Sequence, residues 1–259
     1  MRRRFIKAKF NERVETMINK INDFCKKFQC LSGASLKLIA IISMLIDHTN
    51  KALIYPYLTS ADGFLATLSN LFDIIGRIAF PLFCFMLIEG FFKTRSRIKY
   101  LRNLLVFGVI SEVPFDMCTT ASFYDINWNN IMFTLSLVLA TVWIIDILKE
   151  KMGNKPKALW YIISLLIVGI MCVVSMALSL DYEHHAILIG YFFYIFHDTP
   201  LFAIPFGYAS MYTQPWALLG FGLTLTYNGE RGKQNKMFNY WFYPLHLLIL
   251  GVLRLCLGV

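Results

Sequence analysis

Residues 43 to 50 read SMLIDHTN and set Asp47 and His48 side by side within the apolar run LKLIAIISMLIDHTNKALIYPYL. An imidazole changes charge nearest neutral pH, so it can take a proton from an amine or hydroxyl and return it to a leaving group. Three further ionisable residues sit inside apolar runs: Arg77 in IGRIAFPLF, Glu112 in FGVISEVPFD and His246 in YPLHLLI. An ionisable side chain at the centre of a bilayer costs about 3 kcal/mol on insertion scales, so such residues face a wet interior and often act there.

Several charges have a partner on their own helix. Asp47 and Lys51, Asp73 and Arg77, and Glu89 and Lys93 are each four residues apart, which places both members on one helix face. His48, Glu112 and His246 have no such partner, and Glu112 therefore calls for one from another helix. From Leu36, His48 lies about 18 Å along its helix, and from Met237, His246 lies about 14 Å along its own, so both rings are expected near mid-membrane. Arg77 and Glu112 fall nearer the outer face, which predicts a polar chamber open outward and reaching the centre. Pro81, Pro114 and Pro244 each remove one helix hydrogen bond, as helices lining a cavity tolerate.

The elements that must carry these groups are membrane helices. The 259 residues are 57% hydrophobic and 16% charged, against about 25% charged in a soluble domain. The formal charge of +9 does not mark a nucleic-acid partner. Residues 1 to 37 hold ten Lys/Arg and three Asp/Glu, so +7 of it precedes the first span. Within this N-terminal segment, 1–34, Phe10, Val14, Met17, Ile18, Ile21, Phe24, Cys25 and Phe28 recur at helical spacing among Lys and Arg. That pattern fits an interfacial helix on anionic lipid or a solvated extension, and lacks the short apolar core and cleavage site of a signal peptide. The six cysteines are scattered and imply neither disulfide framework nor metal. DYEHH, from Asp181 to His185, is rich in metal-ligand types but lacks the helical i to i+4 pairing, so no metal is expected.

Runs near 36–58, 70–92, 98–117, 129–149, 158–178 and 237–257 are long enough to span, while 184–197, 200–212 and 215–228 are shorter and are separated by HDTP and TQP. Lys and Arg gather in 93–102, 149–157 and 229–236 and are absent from 59–69, 118–128 and 179–185. The alternation predicts an all-α polytopic bundle, 35–259, of nine spans with a cytoplasmic N-terminus, eight or ten being the alternatives. The basic inner loops, with Lys93, Arg95 and Arg231, set topology and also suit the phosphates of a cytosolic nucleotide-bearing donor.

The stretches LKLIAIISMLIDH, IGRIAFPLFCFMLIEGFFKTRS, YLRNLLVFGVISEVPFD, NNIMFTL, YNGERG and YPLHLLIL occur here in one order. In that order the chain resembles TraX-type membrane proteins, named for a protein that N-acetylates pilin, over about residues 35–257. These are similar to a broader group of membrane acyltransferases whose first helix carries a basic residue, ten others, then histidine; Lys37 and His48 have that spacing. The resemblance implies a multi-pass protein of the bacterial cytoplasmic membrane that moves an acetyl or other acyl group from cytosolic acyl-CoA to an exported protein, peptide, glycan or small molecule. His48 would deprotonate the acceptor, Arg77 would stabilise an oxyanion or donor phosphates, and Glu112 and His246 would orient the acceptor or the catalytic groups. Lys37, Lys93, Arg95 and Arg231 would hold the donor. Asp47 and His48 point about 100° apart on a helix, so Asp47 is expected to hold a neighbouring helix or Arg77. Where relatives carry a DYG-like turn this chain has DYEHH. Two other classes stay open: a proton-coupled transporter relaying protons through His48, Glu112 and His246, and a non-catalytic assembly protein for pilin-like partners.

Overall fold

Polar caps precede several of the apolar runs. In the computed structural model, which describes residues 16–17, 20, 23–24, 26–58, 63–153 and 155–258, the Ser32 hydroxyl accepts the Ser35 amide and starts helix α1, Gly33–Thr49. Ser96 starts α4, Arg97–Thr119, and Asn130 starts α5, Ile131–Met152, in the same way. Asn235 accepts two amides at the head of α10, Lys236–Leu257. Each cap satisfies amides that an apolar surrounding would leave unpaired.

Between them run α2, Gly63–Gly76, α3, Ala79–Lys93, α6, Lys157–Ala177, α7, Glu183–Ile195, α8, Pro200–Ser210, and α9, Ala217–Thr224. No β-strand forms among the described residues, only two isolated bridges. Among the described residues, five stretches are long and apolar enough to cross a membrane: Gly33–Tyr57, Gly63–Lys93, Ile131–Met152, Lys157–Ala177 and Met237–Leu257. At 13, 11 and 8 residues, α7, α8 and α9 reach only about 20, 17 and 12 Å. Most of the proposed N-terminal amphipathic segment lies outside the described residues; its Met17, Phe24 and Phe28 are exposed.

The run expected near 70–92 is two helices. Pro81 cannot donate to the Arg77 carbonyl, and the chain turns at Arg77 and Ile78. The Ser43 hydroxyl of α1 donates to the carbonyls of Ile75 and Gly76 at this break, at 2.6 and 3.2 Å. Gly76 and Gly220 allow the junction to close: a Cβ on the first would meet Asp47 Oδ1 at 2.5 Å, and one on the second the Ile78 carbonyl oxygen at 2.5 Å. After His48, α1 loosens into a wide π turn, Asn50–Ile54, a form often seen beside functional sites.

The short α7 is central, packing on α3, α5, α6 and α8, with Gly190 against Val138. By contrast α6 buries Trp160, Ser164, Val168 and Ser175 and exposes Ile162, Leu165, Leu166, Ile170 and Val173. Such an outward apolar face suits lipid rather than water. Helices α4 and α10 form the most extensive pair, Gly251 resting on Met117.

The basic segments meet at one end. Gly33 donates to the Glu230 carbonyl at 2.8 Å, Lys93 to the Gly229 carbonyl at 2.9 Å, and Arg97 pairs with Asp146 at 2.7 Å. At the other end the amide of Asn129 bonds to Ser179 and that of Asp181 to Asn129, both at 2.9 Å.

Candidate active site

Helices α1 and α10 bring the two intramembrane histidines together. His48 Nδ1 lies 2.8 Å from His246 Nε2, and the rings are inclined by 21°. On the far side, His246 Nδ1 lies 2.7 Å from the Phe242 carbonyl oxygen, one turn back on α10. A carbonyl only accepts, so His246 Nδ1 carries a proton. Phe242 stacks on His246 at 4.7 Å between centroids, and Tyr243 packs on both rings. Both histidines are buried, and no carboxylate bonds to either ring among the described residues.

Beneath the pair, toward the basic end, is a cavity of about 700 Å³. Its lining is graded. At the mouth stand Lys93, Arg95, Lys99 and Arg231, with Lys37 behind them. The amides of Asn103, Gln234 and Asn239 follow, and Gln234 Oε1 accepts from both Lys37 and Asn239, at 3.3 and 3.1 Å. The inner part is apolar, with Ile41, Met44, Leu135, Phe242 and Tyr243. Met44 is one turn before His48, and Phe242 and Tyr243 are the residues packed on the histidines, so the cavity ends one side-chain layer below them. Its exposed cationic lining residues lie at the basic end.

The four donor-side candidates, Lys37, Lys93, Arg95 and Arg231, therefore share one cavity, and His48 meets His246 just beyond it. The other candidates go elsewhere. Asp47 binds Lys51 at 2.7 Å, against Gly76, and does not reach the imidazole. Arg77 pairs with Asp73 and reaches Gln214 at 3.4 Å, and none of the three lines the cavity. Glu112 finds its interhelical partner in Asn130, whose side chain also donates to the Gly108 carbonyl at 2.8 Å; this ties α4 to the head of α5.

Glu89 has two charge partners. Lys93 Nζ lies 2.8 Å from one oxygen, and His197 Nε2, from the α7–α8 loop, 2.9 Å from the other. Lys93 also donates to the Tyr227 hydroxyl at 2.6 Å. The sequence reading did not single out Lys99, His197, Asn130 or Tyr243. Lys99 lies within the basic segment 93–102; the partners of the other three come from remote helices.

The TraX protein family model matches residues 32–254. The chain belongs to the TraX family. Its matched region contains the histidine pair, the cavity and all nine candidate residues. Among curated proteins, a probable fimbrial assembly protein FimC, serogroup H1, of Dichelobacter nodosus is 29% identical over 247 residues, covering 85% of this chain and 94% of the relative. No solved structure matches this TraX-family chain.

Proposed function

We propose that this protein is an acyltransferase of the bacterial cytoplasmic membrane, crossing it nine times with a cytoplasmic N-terminus. It passes an acetyl or other short acyl group from cytosolic acyl-CoA to an amine or hydroxyl on an exported acceptor. The observation that carries the reading is the cavity that grades from five cations through side-chain amides to an apolar floor directly under the His48–His246 pair. Acyl-CoA has the same order of chemistry: phosphates, an amide-bearing arm, then a thioester. Cations and amides would fix the donor's outer parts, bringing the thioester to the histidines from the basic side.

His48 takes the acceptor's proton as its nitrogen or oxygen attacks the thioester carbonyl carbon. The carbon–sulfur bond then breaks, and the departing sulfur receives that proton from His48, giving acylated acceptor and free CoA thiol. Because the fimbrial relative is named for assembly, fimbrial or pilin-like subunits are the first acceptors to try.

That same name supports a second reading, a non-catalytic assembly factor. Purified protein in nanodiscs, given acetyl-CoA and a panel of pilin-like peptides, glycans and small amines, separates the two. Thiol release coupled to an added acyl mass on the acceptor supports the enzyme. Acceptor binding without any mass shift supports the assembly factor and removes the enzyme.

A further inference from the structure

We infer that His246 is a positioning residue that holds His48 in a single tautomer, with the proton on Nδ1 and the lone pair on Nε2, and that it occupies the place a carboxylate holds in other catalytic relays. This inference rests on the acyltransferase reading for its chemical use, but not for its geometry.

The direction of the relay is set by the backbone. The Phe242 carbonyl requires the proton of His246 on Nδ1. Neutral His246 then offers only a lone pair at Nε2, and His48 Nδ1, 2.8 Å away, must be the donor. Three of the four ring nitrogens are thereby engaged, and the fourth, His48 Nε2, has no hydrogen-bond partner among the described residues. His246 cannot serve as the base itself, since both its nitrogens are occupied. Burial favours neutral rings in the resting pair, because a charge there would lack a counterion.

The two intramembrane carboxylates nearest in depth to the imidazole are committed to other partners. Asp47 is held by Lys51 and Glu112 by Asn130. The stacked Phe242 and packed Tyr243 keep the His246 ring in line. When His48 Nε2 takes the acceptor's proton, the resulting positive charge is shared across the Nδ1–H to Nε2 contact by the second ring. As the sulfur leaves with the Nε2 proton, His48 returns to its starting tautomer, so no proton is left on the pair after a turnover.

Nitrogen NMR of labelled histidines in nanodiscs, above the histidine titration range, tests this directly, with His48→Gln identifying the His48 signals. The expected spectrum has His48 protonated on Nδ1 and bare on Nε2. His246→Phe should abolish that signature and lower kcat roughly 10²-fold with the donor KM unchanged. His246→Gln, whose amide oxygen can accept from His48 Nδ1, should retain the signature and recover part of kcat. A wild-type His48 protonated on Nε2, or an unchanged signature in His246→Phe, overturns the inference. Should His246→Phe fail to fold, the wild-type spectrum still decides the direction. Should the protein prove to transfer no acyl group, the tautomer measurement stands by itself, so the two failures are distinguishable.

Discussion

His48 Nδ1 and His246 Nε2 are 2.8 Å apart although 198 positions separate the two residues in the chain. Asp47, the immediate neighbour of His48, faces away and binds Lys51. The two adjacent polar residues should therefore behave differently on substitution. His48→Ala should leave the protein folded and lower acyl transfer by about 10² to 10⁴-fold, the usual worth of a positioned proton-transfer group. Asp47→Asn should lower stability while kcat per folded molecule stays within about threefold, because it removes an ion pair rather than a reacting group. Thiol release and thermal unfolding of the two purified variants check both statements.

Not every cation around the cavity is equally available. Lys93 is already held by Glu89, Tyr227 and the Gly229 carbonyl, whereas Arg95 and Lys99 form no side-chain bond among the described residues. Arg95→Ala and Lys99→Ala should each raise the acyl-CoA KM roughly tenfold at constant kcat, the loss of one charge-assisted contact. The effect should shrink at high salt, where exposed charges are screened. Lys93→Ala should instead lower stability, since it leaves the buried Glu89 with only His197. Donor titrations at low and high salt, with melting curves, distinguish the two outcomes.

His197 gives the basic end a pH dependence whose sign follows from its partners. The Glu89 carboxylate 2.9 Å from Nε2 raises its pKa above the ordinary value, outweighing partial burial, with Asp198 adding in the same direction. Lys93, on the other side of Glu89, is the cation it must share that carboxylate with, and Phe92 covers the ring. A raised folded-state pKa means that the stability from protonating His197 is fully present below the unfolded value, about 6.5. It is lost as pH rises through the higher folded value. The melting temperature of the wild type should therefore fall with rising pH across the neutral range, and His197→Gln should flatten that fall. A slope unchanged by the substitution would assign the dependence to another group.

Much of the helical order could be read in advance because it rests on local chemistry. The long apolar runs mark α1, α4, α5, α6 and α10, and the HDTP and TQP stretches separate α7, α8 and α9. The split of one apolar run into α2 and α3 was not readable. Pro81 is a local cue, but the turn sits at Arg77 because Gly76 admits Asp47 and Gly220 admits Ile78 from other helices. The same limit applies to the site. Similar depth placed His48 and His246 at one level, yet only the fold shows that they face each other, that Glu112 spends itself on Asn130, and that residues of the basic loops line one cavity.

The turn that leads into α7 carries strain. Ser179, Tyr182 and Glu183 all adopt positive φ, at 47°, 61° and 41°, a region that suits glycine. Tyr182 is compensated by its stack on Phe80 at 3.6 Å. Glu183 has no comparable compensation, its carboxylate lying 3.7 Å from His184. Glu183→Gly should therefore stabilise the protein by about 1 kcal/mol. A rise in melting temperature checks it, and a fall would mean that the Glu183 side chain does more than its contacts indicate.

Gly76 links the broken helix to the histidine pair. A Cβ there would come within 2.5 Å of Asp47 Oδ1 and 2.6 Å of its Cβ, one residue from His48. Asp47 is joined to His48 by one peptide bond within α1, so a displaced Asp47 should carry His48 with it. Gly76→Ala should cost about 1 to 3 kcal/mol of stability, as overpacking does, and should also lower kcat by pulling His48 from its 2.8 Å contact with His246. Gly169 on α6 has nothing within 4 Å of its would-be Cβ, so Gly169→Ala serves as the control and should be neutral or stabilising. Measuring kcat and unfolding for both variants separates the cost of crowding from that of adding a methyl group to a helix. Wild-type transfer by Gly76→Ala would show that α1 can shift at this level without disturbing the imidazoles.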